Sequence, residues 1–84
     1  MIEYAIVTLT TPDGSWKQDF ELPVQIKIRE LEKKLLSVLQ DQIPNGFFDA
    51  REIYIKSENQ ILDKEKTLVE YRIWDGSILV VSRG

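Results

Sequence analysis

The chain has 84 residues, 43% of them hydrophobic and 30% charged, with a net charge of −3 and neither cysteine nor histidine. That length suits one small domain over residues 1–84, and no apolar run approaches the ~18 residues of a membrane span. The missing residue types exclude a disulfide, a thiol nucleophile, the usual zinc sites and an imidazole proton carrier, while acids interleaved with the Lys and Arg argue against nucleic-acid binding.

Residues 3–10 are β-branched and aromatic and predict a first strand. Pro12, Asp13 and Gly14 form a turn signal, because Pro presets φ and Gly accepts a positive one. Residues 15–22 return as a second strand with Phe20 and Leu22 on one face. Pro23 closes that strand. From about residue 26 to 41 the period changes, and Ile28, Leu31, Leu35, Val38 and Leu39 fall on one helical stripe. Glu30 and Lys34 stand four apart as an exposed pair, and Ile43, Pro44, Asn45 and Gly46 end the helix. A third strand is expected over 52–56, a very short one at Ile61 and Leu62, and a last one over 78–82. The order β-β-α-β-(β)-β predicts an α+β fold with a mixed sheet of four to five strands. Its first and last strands lie parallel at the centre, and one helix packs across one face.

The segment from Thr67 to Val81 gives the order a family likeness. Leu68, Tyr71 and Ile73, then Asp75-Gly76 and an apolar strand, resemble the closing segment of ubiquitin-like β-grasp domains. The hairpin, the helix opening on an Ile and Ile43-Pro44 extend that likeness along nearly the whole chain. Asp75-Gly76, where ubiquitin is charged, resembles most the small ubiquitin-like proteins of bacterial type VII secretion, the YukD/EsaB family. The resemblance implies that Tyr71 braces the loop between two core side chains. It also implies a non-enzymatic, cytoplasmic interaction module, without cofactor or metal, that helps assemble or regulate the secretion machine. Its partner would be the cytoplasmic part of a membrane component, or a second copy in a homodimer. The ubiquitin-like domain fused to the membrane channel subunit of mycobacterial systems suggests the same docking role. The chain would be recruited to the inner face of the membrane without inserting into it.

Two departures from ubiquitin bear on this. In a gap-free alignment Gly84 stands about four residues short of ubiquitin's end, without its Gly-Gly tail, which disfavours a modifier or carrier acting through Gly84. Lys56 replaces the isoleucine at the centre of ubiquitin's receptor-binding patch. A further alternative is a generic protein-binding domain of a larger chain.

Candidate sites follow from strand alternation. If Ala5, Val7, Leu9, Leu79 and Val81 face the helix, Tyr4, Ile6, Ile78 and Val80 lie on the open face of the sheet, with Tyr54 beside them. That surplus of apolar residues is the candidate partner-binding surface. Lys56 and Arg72 are rim charges, and Trp16 and Trp74 are candidate anchors. Trp74-Asp75-Gly76 is a W-x-G triplet, but with no second helix it reads as the tight turn into the last strand. Asp63, Glu65 and Glu70, interleaved with Lys64 and Lys66, read as a solvated loop, and no catalytic residue is expected.

Overall fold

The computed structural model describes residues 2–43, 47 and 49–83. β1 (Tyr4–Thr10) and β2 (Lys17–Pro23) form the first hairpin, antiparallel from Tyr4↔Pro23 to Thr10↔Lys17. Its turn is held by Asp13, whose Oδ1 accepts from Ser15 N (3.0 Å), Ser15 Oγ (2.8 Å) and Thr11 Oγ1 (2.8 Å). Gly14 takes φ +74°, where a Cβ would be strained. These turn bonds occupy Ser15, so β2 begins two residues later than the alternation suggests.

Helix α1 (Ile28–Gln42) also starts later than its periodicity predicts. Lys27 is extended and bridges to Thr67, and no side chain caps the helix. The loop does that work: Ile28 N donates to Lys66 O (2.8 Å) and Arg29 N to Lys64 O (3.0 Å), satisfying two amides that a helix start leaves free. Pro44, Asn45 and Gly46, read as the helix stop, lie outside the described residues. Glu30 and Lys34 form no ion pair among the described residues.

β3 (Ile53–Ser57) turns through Glu58 and Asn59, both at positive φ (51° and 67°), into β4 (Gln60–Ile61). Two left-handed residues in a row give the turn whose twist suits adjoining antiparallel strands. A 3-10 turn, Val69–Tyr71, precedes β5 (Ile78–Arg83). The sheet order is β2-β1-β5-β3-β4, with β5 parallel to β1 and antiparallel to β3. The observed order is thus the expected one, with the short fourth strand present and two central parallel strands.

One apolar cluster joins the layers. Ala5, Val7, Leu9, Leu79 and Val81 from the central strands meet Ile28, Leu31, Leu35 and Leu39 of the helix. Val38, expected in the stripe, is only half-buried, whereas Glu32 is buried. Leu68 and Ile73 enter the same cluster on either side of Tyr71, whose hydroxyl accepts from Asp63 N (2.8 Å). The expected bracing of that loop combines this hydrogen bond with packing of the Tyr71 ring against the core.

Candidate partner-binding face

Alternation along β1 and β5 produces two faces of different character. Inward side chains are sealed, and the outward apolar ones are not: Ile78 is 60% exposed and its neighbour Leu79 is 0%. Tyr4 and Ile6 are about as exposed as Ile78, and Val80 is half-buried. The register fixes which of these meet. Thr8 pairs with Ile78 and Thr10 with Val80 across the parallel ladder, while Val80 pairs with Lys56 and Lys56 with Ile61. The result is a diagonal stripe running from Tyr4 and Ile6 through Ile78 and Val80 to the β3–β4 side.

Tyr54 belongs to the far end of that stripe. It pairs with Ser82, two positions beyond Val80, so it is not beside Tyr4 and Ile6. Its hydroxyl donates to Glu52 Oε1 (2.9 Å), and Lys64 Nζ lies 4.8 Å from its ring centroid. The bond to Glu52, helped by that carboxylate's charge, raises the Tyr54 pKa above its ordinary value.

The two tryptophans separate. Trp16 is half-buried, packs against the core, and sits 6.1 Å from the Phe20 ring at a 43° tilt. It stands on the side of Phe20 and Leu22, away from the open face. Trp74 is exposed, in the turn that joins the 3-10 segment to β5. That turn is stitched to β1: Asp75 Oδ1 accepts from Ile6 N (2.7 Å), and Gly76 N donates to Ile6 O (2.9 Å). Gly76 takes φ +89° to make the second bond. Trp74-Asp75-Gly76 is therefore the tight turn expected of it, and it brings Trp74 to the Ile6 end of the stripe.

Two exposed residues of the stripe are not among the candidates. Ile61 faces outward because Lys56↔Ile61 is its pairing, which a two-residue strand cannot announce by alternation. Ile2 precedes β1 in the phase of Tyr4 and Ile6, and it is also exposed. The signal that could have found it is simply the continued alternation.

Acidic side chains of the loop before the 3-10 turn are engaged locally. Asp63 Oδ1 accepts from Glu65 N (2.8 Å), Glu65 pairs with Lys27 and Arg29, and Glu70 Oε2 accepts from Thr67 N (2.7 Å). Among the described residues no group of three or more acids, His or Cys is placed to hold a metal. A recess of about 560 Å³ at the hairpin end touches Pro12, Ile43 and Phe47. Asp13 at its rim is already engaged in the turn, and those bonds, the Ser15 amide first, hold its pKa down at about 2. Gly84 lies outside the described residues.

A family model described as the WXG100 protein secretion system (Wss), protein YukD, matches residues 4–81. The chain belongs to the YukD family. Its fold is that of ubiquitin-like domains from type VII secretion. The ubiquitin-like domain of the Mycobacterium tuberculosis type VII secretion protein EccD1 is 21% identical, with a TM-score of 0.78 over 95% of this chain and 98% of that one. The EccD5 ubiquitin-like domain from Mycobacterium xenopi is 17% identical, with a TM-score of 0.80 over 98% and 96%. A chain of a MycP5-free ESX-5 inner membrane complex is 15% identical with a TM-score of 0.80. This YukD family member covers 21% of its length, through 96% of its own. A search of curated proteins finds no match. Among the described residues, no helix is long and apolar enough to cross a membrane.

Proposed function

We propose that this YukD family member is a non-catalytic adaptor of the WXG100 secretion machinery. It docks through the open face of its sheet onto a protein of that machine, the cytoplasmic part of a membrane component being the first candidate. Residues 1–84 act in this reading as one module, working in the cytoplasm at the inner face of the membrane. The observation that carries it is the exposed stripe of Tyr4, Ile6 and Ile78 on a sheet whose other face is covered by α1. Leaving large apolar side chains in water is unfavourable by roughly 25 cal/mol per Å², which a bound partner would relieve. Family membership supplies the setting, and the likeness to a domain in an ESX-5 inner membrane complex supports a protein partner there. The absence of His and Cys from the sequence supports a binding role over catalysis.

A photo-reactive residue at Ile78 tests the reading in cells that carry the secretion system. It should cross-link to a membrane component of that system, and the same probe at Ser37, on the exposed side of α1, should not. Equal cross-linking from both positions, or none from Ile78, would count against the open face.

A further inference from the structure

The open face offers side chains and no backbone. β1 lies between β2 and β5, and β5 between β1 and β3, so along the ladder of Thr8–Thr10 against Ile78–Val80 both edges of each central strand are occupied. Even Ile6, before the β1–β5 ladder begins, has its N–H and C=O taken by Asp75 and Gly76. An extended peptide laid here would find no partners for its own amides, whereas a helix carries its backbone bonds within itself. α1 covers the opposite face in this way.

Charge then narrows the chemistry. β2 flanks the most exposed part of the stripe, and its register sets Glu21 beside Ile6 and Asp19 beside Thr8. The nearest outward lysines, Lys17 and Lys56, lie further along the strands, in the row of Thr10 and Val80. The acidic flank thus belongs to the end where Tyr4, Ile6 and Ile78 are exposed. Asp19 is partly engaged, accepting from Thr8 Oγ1 (2.7 Å).

We propose that this end of the stripe receives an amphipathic helix of a partner protein, with apolar side chains over Tyr4, Ile6 and Ile78 and Lys or Arg over Glu21 and Asp19. The proposal rests on the open-face reading above and adds the occupant's chemistry.

The probe is a synthetic Leu/Lys helix of about 18 residues, five turns, with a Leu/Glu helix of the same pattern as control. Each is titrated into the isotope-labelled chain, with amide shifts as the readout. The Leu/Lys helix should move the Ile6 and Ile78 amides, and Ile78→Ser should weaken it by about tenfold or more. Glu21→Lys should weaken it about threefold to tenfold at low salt, the difference fading as salt rises. Equal binding of the Leu/Glu helix would overturn the cationic occupant while leaving the cross-linking test of the face untouched. Binding that survives Ile78→Ser, or no binding at all, would overturn the proposal. So would self-association of the chain through this face, which would make a second copy the occupant.

Discussion

Glu32 is buried on the inner side of α1 and forms an ion pair with Lys64, whose amine also donates to Ile53 O (3.2 Å). Burial raises its pKa above the ordinary 4.5, and Lys64 opposes the shift. A carboxyl whose folded pKa is raised contributes most to stability when protonated in both states. That contribution is full below 4.5 and is lost as pH rises through the folded value. The native chain should therefore gain stability relative to Glu32→Gln as pH falls across that window. Urea unfolding of both chains along a pH series measures it, and a difference independent of pH would be the contrary result. Lys64→Met should cost roughly 3 kcal/mol, because it strands a buried carboxylate. Asp13 behaves in the opposite sense. Its carboxyl resonance should titrate with a midpoint at about 2, and one near 3.8 would mean that the turn bonds to Ser15 and Thr11 are absent in solution.

At the scale of elements, the 3-10 turn and the Asp75-Gly76 turn join the strands that the sheet order separates. Tyr71→Phe keeps the ring and removes the acceptor for Asp63 N, which should cost about 1 kcal/mol in a denaturant midpoint. Gly76→Ala meets no atom within 4 Å, so its cost is conformational alone, about 1–2 kcal/mol at φ +89°. The difference between these two variants is instructive. One loses a bond to a loop, and the other distorts the turn that holds Ile6, so Gly76→Ala should also speed exchange of the Ile6 amide.

Across the whole molecule, two adjacent residues of β5 give the sharpest contrast. Leu79→Ala should cost about 2–5 kcal/mol as a core truncation, and Ile78→Ser within about 0.5 kcal/mol. A large loss of thermal stability in Ile78→Ser would mean that its side chain is not free in the way its exposure indicates. That contrast could be foreseen, because strand alternation and the apolar spacing of Ile28, Leu31, Leu35 and Leu39 are local patterns. What could not be foreseen depends on pairing between distant segments. Glu32 is buried with Lys64, far along the chain, and the Ile55 backbone as its partners. Ile61 and Tyr54 take their places from register, and Trp16 from its packing on Phe20. The family likeness was readable in Leu68, Tyr71 and Ile73 because all three serve the core or its closing loop.

β5 follows the other four strands in sequence and is also the one that joins the sheet's halves. Before β5 leaves the ribosome, β2–β1 and β3–β4 are two separate ribbons with no strand to bridge them. The contact from Ile6 to Asp75 closes across 69 positions of sequence. A chain truncated after β4 lacks Leu79 and Val81 from the core as well as the bridging strand, so its Val7, Leu9, Ile53 and Ile55 should be cut by proteases faster than those of the full chain.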